Sequence, residues 1–245
     1  MLFGSKKLPI TEIFQEGFID IHSHLLPGID DGSKNMDNSI ELIEKLANNG
    51  IKRFITTPHT MAEVYPNTPE IILQKRDELR EELKKRNIDV SLDAASEYLL
   101  DHDFYNKLKA GAVLTFGKSK YILVEMSFFN APNNLKELLF EIQLAGLKPI
   151  MAHPERYNFY GGKIEEYRSL KNYGCKFQLN LLSLTSHYGK QVQKTSYKLL
   201  EEGLYDFVGT DTHHTGHTAL LRTIATKKNK KYLSRLILNN CNILD

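Results

Sequence analysis

The sequence has few cysteines: two in 245 residues, Cys175 and Cys241. They lie far apart and lack the CxxC spacing that is typical of thiol metal sites and redox motifs. The first nine residues include lysines but neither the apolar stretch nor the cleavage site of a secretory signal. We therefore predict a reduced protein in the cytoplasm.

Long apolar runs and a large net charge are also missing. No run approaches the roughly 18 consecutive apolar residues that a membrane-spanning helix needs, so we expect no membrane insertion. The formal net charge is only +2, which does not favour nucleic acid as a partner. A local basic run at residues 227–231 contains four lysines, and we interpret it as a solvated linker between two terminal helices.

With 41% hydrophobic and 25% charged residues, the chain can bury a full globular core. Apolar patterns typical of strands and of helices alternate along it, and they predict seven strand-then-helix units. The predicted strands are residues 18–24, 51–57, 88–95, 121–126, 149–156 including a loop, 175–181 and 205–213. The predicted helices are residues 37–49 with Asp37 as N-cap, 68–87 with Pro69 in the first turn, 133–145, 163–172, 189–202 and 218–240, the last interrupted by the lysine run.

We treat residues 1–245 as a single domain, with a short lead of one helical turn at residues 1–16. Residues 99–118 are expected to be irregular with one short helical turn. Alternating strands and helices imply a parallel sheet, either open or closed into a barrel. Six of the seven strands carry His, Asp or Glu at or just beyond their C-terminal ends, and a closed barrel brings such ends to one mouth. The sequence therefore predicts an α/β fold, a distorted seven-stranded β/α barrel similar to a TIM barrel.

The first predicted strand ends in Asp20-Ile-His22-Ser-His24. Because side chains repeat with period 2 in a strand, both imidazoles can reach one metal ion. One buried polar residue at a strand end needs no metal, but many together would be costly to bury without cations. The candidate metal ligands at the strand ends are His22, His24, Asp31, His59, Glu97, Glu125, His153, Asp211 and His213.

Nine ligands are too many for one ion, so we expect two or three divalent metal ions with bridging carboxylates. Nitrogen and oxygen ligands without thiolate fit Mn, Fe or Zn, and we expect Mn.

These residues lie in motifs that resemble the polymerase and histidinol phosphatase (PHP) superfamily. The motifs are Asp20-x-His22-Ser-His24, Pro58-His59, the isolated Glu97 and Glu125, His153-Pro-Glu-Arg156 and Asp211-x-His213. Within that superfamily, three stretches resemble those of bacterial tyrosine-protein phosphatases encoded with capsule and exopolysaccharide genes. They are Leu-Pro-Gly-Ile-Asp-Asp-Gly at 26–32, Thr-Pro-His at 57–59 and His-Pro-Glu-Arg at 153–156. The resemblance extends from about residue 17 to residue 217.

The resemblance implies a trinuclear site and hydrolysis of phosphotyrosine in protein, with the tail of a polysaccharide-assembly tyrosine kinase as the substrate. It implies that Asp31 rather than Asp30, and Glu97 rather than Glu155, are ligands. The implied sets are His22, His24, Glu97 and Asp211 for the first ion, Glu97, Glu125 and His153 for the second, and Asp31, His59 and His213 for the third.

The expected nucleophile is a metal-bridging hydroxide, since bound water loses a proton near neutral pH. Arg156 is the expected catalytic and substrate-binding residue, because a guanidinium can bind two phosphoryl oxygens. The resemblance implies a second phosphate-binding arginine within several residues of Asp211-x-His213, but the nearest arginine in this sequence is Arg222, on the following predicted helix. We expect His217, and less strongly His214, to bind substrate there; alternatively, both are exposed loop histidines.

Neither cysteine begins the Cys-x5-Arg loop of thiol-based tyrosine phosphatases, which excludes a cysteinyl-phosphate mechanism. Two other functions are compatible with the sequence. A phosphatase for a small alkyl phosphate such as histidinol phosphate would need a closed pocket formed by loop 60–67 and segment 98–118. A metal-stabilised docking protein without turnover would have no open metal position.

Overall fold

The computed structural model describes residues 7–245, and the first part of the predicted lead, residues 1–6, lies outside it. Residues 10–12 form one 3-10 turn, in agreement with the helical turn expected there. Ile10, Ile13 and Phe14 are buried in the main hydrophobic cluster. The described part of the lead therefore belongs to the packed body of the protein.

Nine short strands form two sheets in the described chain, and all neighbours within a sheet are parallel. They are β1 (Ile19–Asp20), β2 (Arg53–Thr56), β3 (His59–Thr60), β4 (Ser91–Ala94), β5 (Glu97–Leu99), β6 (Tyr121–Glu125), β7 (Lys148–Ala152), β8 (Lys176–Asn180) and β9 (Phe207–Gly209). One sheet has the order β1-β2-β4 and the other has the order β3-β5-β6-β7-β8-β9. The predicted α/β fold with parallel strands is confirmed.

Two of the predicted strands, at residues 51–57 and 88–95, contain β2 and β4, and a further short strand, β3 or β5, follows each after a gap. Between β2 and β3 lies Pro58, whose nitrogen has no hydrogen to donate to a ladder. The pairing keeps one register across the gap, because Thr56 is opposite Ala94 and His59 is opposite Glu97. We conclude that β2 with β3, and β4 with β5, are the two halves of one parallel pair.

The first and last strands approach each other beyond β1 and β9. Ser23 and Thr212 form an isolated parallel bridge, and the amide of His24 donates to the carbonyl of Thr212 over 3.0 Å. The amide of Asp211 donates to the carbonyl of His22 over 2.7 Å. The sheet is therefore curled so that its edges meet at this end. Because the ladders form separate three-stranded and six-stranded sheets, a closed seven-stranded barrel stays a prediction.

Eight α-helices lie between the strands or follow the last of them within residues 7–245. They are α1 (Met36–Asn48), α2 (Pro69–Lys85), α3 (His102–Lys109), α4 (Leu135–Leu144), α5 (Ile164–Asn172), α6 (Lys190–Glu201), α7 (Thr215–Leu221) and α8 (Lys227–Cys241). Helix α2 begins with Pro69, as predicted, and its N-cap is Thr68. The N-cap of α1 is Asn35 rather than Asp37, because Asn35 Oδ1 accepts a hydrogen bond from the amide of Asn38. In this described part of the chain, no helix has the length and apolar character needed to cross a membrane.

The prediction of a linker at residues 227–231 is wrong. These residues form the first turns of α8, and Thr226 caps the helix by accepting a hydrogen bond from the amide of Asn229. Leu233 and Ile237 lie further along α8 and are buried in the main cluster. The lysines are therefore the polar start of an amphipathic helix.

Apolar side chains pack on both faces of the sheet. The larger cluster includes Leu42, Leu79 and Phe177 and lies between the strands and the helices. The smaller cluster is drawn from strands all around the curl, which places it on the inner face. Its members are Ile19, Ile21, Ile55, Ala95, Phe116, Leu123, Ile150, Ala152, Phe207 and Ile243.

Candidate metal centre

The candidate ligands continue the inner face of the sheet. Ala95 and Leu123 belong to the smaller apolar cluster. Because side chains alternate along a strand, the residue two positions later points to the same side. Those residues are Glu97 and Glu125, and both are buried. The inner face of the curl therefore changes from apolar to polar near the carboxyl ends of the strands.

Two further candidate ligands have a left-handed backbone. The φ angle is +33° at His153 and +51° at Asp211, in a region that residues other than glycine rarely adopt. His153 directly follows β7, and Asp211 lies two residues after β9. Backbone strain of this kind is concentrated at functional sites, where the surrounding structure enforces it.

All nine predicted ligands converge at this end of the sheet. They form four overlapping groups, and within each group the potential ligand atoms lie within 4.8 Å of one another. The groups are His24, Asp31, His59 and His213; His22, His24 and Asp211; His22, Glu97 and His153; and His59, Glu97 and Glu125.

Glu97 belongs to two of these groups and is fully buried. Its Oε2 lies 3.1 Å from Nε2 of His22 and 3.2 Å from Nδ1 of His59, and its Oε1 lies 3.0 Å from Nε2 of His153. Despite these contacts, neither oxygen has a hydrogen-bond partner of acceptable geometry. A buried carboxylate without hydrogen bonds is costly. Oxygen and nitrogen atoms that converge without bonding to one another fit a cation bound among them.

The charges of the centre shift several pKa values. Burial opposes protonation of His22, but Glu97 and Asp211 outweigh it and raise the pKa to about 10. Burial also opposes protonation of His59, whose pKa Glu97 and Glu125 nevertheless raise to about 10. Burial favours the neutral form of Asp211, yet the neighbouring histidines hold its pKa well below the usual range. The carboxylates therefore require positive charge, which either protons or divalent cations supply.

The outermost group lies at the opening of the centre. The side chain of Asp31 is 51% exposed, and its Oδ1 lies 3.6 Å from Nε2 of His59 and 3.5 Å from Nε2 of His213. His213 stacks on His24 with ring centroids 3.9 Å apart. A cation held by this group would remain accessible to a ligand from solvent.

Asp30 contacts two of the candidate ligands, His24 and His59. Its Oδ2 lies 2.7 Å from Nδ1 of His24 and accepts a hydrogen bond from the amide of His59 over 3.1 Å. The contact with Nδ1 leaves Nε2 of His24 free to face the other ligands. Two adjacent carboxylates, Asp30 and Asp31, thus have different surroundings.

Two amides on β8 also contact the centre, although the sequence analysis found no ligand there. Oε1 of Gln178 lies 2.8 Å from Nδ1 of His22, which leaves Nε2 of that ring facing Glu97. Nδ2 of Asn180 donates to Oδ2 of Asp211 over 2.6 Å. A search for imidazoles and carboxylates misses both; their signal in the sequence is two amides, two residues apart, on a buried strand.

Glu155 lies outside the four groups. It is buried, and its Oε1 and Oε2 accept hydrogen bonds from the amide of Asn180 over 3.0 Å and the hydroxyl of Tyr205 over 2.9 Å. Burial raises its pKa. Glu155 therefore supports the end of β8.

A cavity of about 310 Å³ opens onto the centre. Nη1 of Arg156 donates to Oδ2 of Asp211 over 3.0 Å. The guanidinium carbon lies 4.5 Å from the ring centroid of Phe128 and 4.2 Å from that of Tyr188. The cavity therefore has a cationic donor on the wall beside the ligand groups. It is lined by Asp31, His59, Glu125, Phe128, His153, Arg156, Tyr188, Asp211, His213, His214 and His217.

A family model described as capsular polysaccharide synthesis, CpsB/CapC, matches residues 18–244. The chain belongs to the CpsB/CapC family. Tyrosine-protein phosphatase YwqE of Bacillus subtilis is 34% identical over 200 residues, which cover 80% of this chain and 77% of YwqE. The putative tyrosine-protein phosphatase CapC of Staphylococcus aureus is 27% identical over 220 residues, which cover 89% of this chain and 86% of CapC.

The fold of this CpsB/CapC protein is also similar to a solved structure. A crystal structure from work on YwqE of Bacillus subtilis and CpsB of Streptococcus pneumoniae, described as unique metal-dependent tyrosine phosphatases, matches with a TM-score of 0.83. The identity is 30%, and the match covers 92% of this chain and 94% of that chain. The family resemblance inferred from the sequence motifs is confirmed.

The CpsB/CapC chain places two histidines in the cavity after Asp211. His214 and His217 both line it, with ring centroids 3.9 Å apart, and His217 is only 6% exposed. Burial, together with the neighbouring histidines, lowers the pKa of His217 to about 4. His217 is therefore neutral at physiological pH. Arg222 is directed elsewhere, since its Nε donates to Oδ1 of Asn49 over 2.9 Å.

Proposed function

We propose that this protein is a metal-dependent tyrosine-protein phosphatase that hydrolyses the phosphomonoester of phosphotyrosine in proteins. The observation that carries the proposal is the cavity in which Arg156 lies beside nine converging histidine and carboxylate side chains. Relatives with 34% and 29% identity are named tyrosine-protein phosphatases, and the similar solved structure is described as metal-dependent.

The proposal includes three divalent ions held by the nine side chains. Support comes from the four overlapping groups and from the unbonded oxygens of Glu97, which would bridge two ions. Nitrogen and oxygen donors without thiolate suit Mn, Fe or Zn, and Mn is the proposed metal. The sets are His22, His24, Glu97 and Asp211 for the first ion, Glu97, Glu125 and His153 for the second, and Asp31, His59 and His213 for the third.

When bound, the ions supply an activated water at neutral pH and neutralise charge on the phosphoryl oxygens. The chain itself fixes the geometry. Asp30 and Gln178 contact Nδ1 of His24 and His22, so that Nε2 of each ring is directed to the centre before substrate arrives. Donors and charges fixed in this way need little reorganisation during the reaction.

Arg156 is the proposed catalytic residue and binds the phosphoryl group. Burial opposes its positive charge, but Asp211 raises its pKa, so the guanidinium stays charged. One N–H group is bonded to Asp211, and the other N–H groups can donate to two phosphoryl oxygens. His217, with His214 beside it, is proposed to contact the same group through a neutral N–H.

An aryl phosphate suits this site chemically. Because the pKa of a phenol is ~10, tyrosinate leaves with less help from a proton donor than an alkoxide requires. The thiols take no part: Cys175 is buried, burial raises its pKa to about 12, and neither cysteine is among the residues that line the cavity.

The proposed substrate is the phosphorylated tail of a polysaccharide-assembly tyrosine kinase, and the proposed location is the cytoplasm. The family description refers to capsular polysaccharide synthesis, which supports such a partner. Both cysteines are free, as expected in a reducing compartment. The exposed side of the outermost group, at Asp31, gives access to a phosphate carried on a protein.

A single PHP-type domain over residues 1–245, with a distorted seven-stranded barrel, is part of the same proposal. The constant register across the two interruptions reduces nine short strands to seven. The bridge between Ser23 and Thr212 supports closure between the first strand and the last.

Turnover of a phosphotyrosine peptide and of histidinol phosphate by the purified protein tests the proposed activity. We expect hydrolysis of the peptide with added Mn, loss of activity on chelation, and recovery when Mn is restored. A peptide of the same sequence with phosphoserine in place of phosphotyrosine is the control, and it should be hydrolysed more slowly because its leaving group is an alkoxide. Preference for histidinol phosphate would indicate a small-molecule phosphatase instead, and metal binding without turnover would indicate a docking protein.

A further inference from the structure

Contacts with two aromatic rings and one carboxylate hold the side chain of Arg156 in place. A free arginine side chain loses rotamer entropy when it is held in one orientation. Here the guanidinium carbon lies 4.5 Å and 4.2 Å from the ring centroids of Phe128 and Tyr188. Together with the hydrogen bond to Asp211, these contacts restrict the side chain before any ligand is present.

One of the two rings is itself fixed to the centre. The hydroxyl of Tyr188 accepts a hydrogen bond from Nδ2 of Asn180 over 3.2 Å. The same Nδ2 donates to Oδ2 of Asp211, the oxygen that also accepts from Arg156. Asn180 thus links the ring and the carboxylate that hold Arg156 into one network.

The other ring comes from the loop after β6. The ring centroid of Phe128 lies 5.7 Å from that of His153 and 5.9 Å from that of Tyr157, and the residue is 45% exposed. Phe129, the next residue, is 90% exposed and is not among the residues that line the cavity. Of two adjacent phenylalanines, Phe128 is therefore the one that packs on the site.

We propose that Phe128 and Tyr188 are positioning residues, an aromatic clamp that holds the guanidinium of Arg156 for phosphate binding. The inference rests on the proposed function only in placing a phosphoryl group at Arg156. Nη1 is bonded to Asp211, which leaves the other N–H groups of the guanidinium available to a phosphoryl group. Without the rings, Arg156 keeps its ion pair with Asp211, but the plane of its guanidinium is no longer held in one orientation. Its hydrogen bonds to two phosphoryl oxygens then weaken.

Binding of inorganic phosphate to the Mn-loaded protein, measured by calorimetry, tests the clamp without requiring turnover. Phe128→Leu and Tyr188→Leu should each weaken phosphate binding about 3- to 30-fold, the range expected for a ring-to-cation contact. Tyr188→Phe keeps the ring and should stay within about 3-fold of the wild type. Phe129→Leu makes the same change at the adjacent exposed position and should leave phosphate binding unchanged.

A double-mutant cycle separates positioning from other roles of the rings. In an Arg156→Ala background, Phe128→Leu and Tyr188→Leu should have no further effect, because the clamp acts only through the guanidinium. Equal losses with and without Arg156 would overturn the inference. So would unchanged phosphate binding in both leucine variants, or a wild type that does not bind phosphate.

Metal content, measured on the same preparations, completes the test. The leucine variants should retain the metal content of the wild type. Loss of metal in proportion to the loss of phosphate binding would overturn the clamp, since the rings would then serve the metal centre. A wild type that shows the expected phosphate binding but does not hydrolyse phosphotyrosine would contradict the proposed function alone.

Discussion

Among the carboxylates of the centre, Glu97 combines full burial with two oxygens that lack hydrogen bonds. Burial favours its neutral form, but His22 and His59 hold its pKa well below the ordinary value. The residue is therefore ionised in a place where only positive charge stabilises it. At the scale of single residues, Glu97 is the position where loss of charge should disturb the centre most.

Glu97→Gln keeps the size of the side chain and removes its charge. We expect this variant to lose bound metal and its kcat/KM to fall on the order of 100-fold or more. Even the loss of a residue that only hydrogen-bonds to a metal ligand lowers metal affinity or activity about 10- to 100-fold. Elemental analysis and turnover of phosphotyrosine peptide measure both effects. Glu44→Gln, an exposed acid on α1, is the control. Full metal occupancy in Glu97→Gln would remove it from the ligand set.

The sequence reveals the charged and imidazole side chains of the centre because they recur at the ends of apolar strands, which is a local pattern. It does not reveal the roles of Asp30 and Gln178. Gln178 contacts His22, which is 156 residues away in the sequence. The packing of strands decides which imidazole lies beside which side-chain amide. A local sequence pattern therefore cannot predict this contact.

At the scale of elements, the centre depends on close packing of the first and last strands. Asp20 on β1 accepts hydrogen bonds from the amide and hydroxyl of Thr210, 190 residues away. At Gly209, which ends β9, an added Cβ would lie 2.5 Å from Cβ of His22 and 2.7 Å from Nε2 of Gln178. Glycine is required there because a larger side chain would not fit, and not because of its backbone conformation, since its φ is not positive.

Gly209→Ala should therefore separate the strands that position the candidate ligands. We expect a loss of about 1–3 kcal/mol in the free energy of unfolding, as for other overpacked cores, together with reduced metal content. Gly203→Ala is the control: its φ is +67° and nothing lies within 4 Å of the added Cβ. That change should cost about 1–2 kcal/mol through backbone strain but retain the metal. Urea unfolding and elemental analysis distinguish the two variants, and equal metal content in both would contradict the expectation.

Element boundaries were predictable where the signal is local, as at Pro69 in the first turn of α2. They were not predictable where tertiary contacts decide. The lysines at residues 227–231 are good helix formers, and burial of Leu233 and Ile237 further along draws them into α8. The interruption at Pro58 is visible in the sequence, but the register that continues across it is set by the partner strand.

At the scale of the whole molecule, the curled sheet has two sides. Its inner face is polar at the carboxyl ends of the strands, and its outer face packs against the helices in an apolar core. Cys175 belongs to that outer core and is 1% exposed. Burial raises the pKa of its thiol from 9.0 to about 12. The core therefore keeps this thiol protonated well above the pH at which it ionises in the unfolded chain.

The Cys175 thiol should contribute to alkaline destabilisation. Between pH 9 and pH 12 the unfolded chain binds fewer protons at this position than the folded protein, so the free energy of unfolding falls as pH rises. From pH 8 to pH 10 this part of the fall is about 1 kcal/mol, and it should be absent in Cys175→Ala. Urea unfolding of both proteins at both pH values measures it, and identical pH dependence would contradict the shift.

The 190-residue separation between Asp20 and Thr210 also sets an order of events in time. A ribosome adds roughly 5–20 residues per second, so the segment with His22 and His24 emerges about 10–40 s before the segment with Asp211 and His213. During that interval the two early imidazoles lack the carboxylate of Asp211, and a complete centre does not exist. Assembly of the complete centre is therefore a late step in biogenesis, possible only after the last segment of the chain has packed against the first.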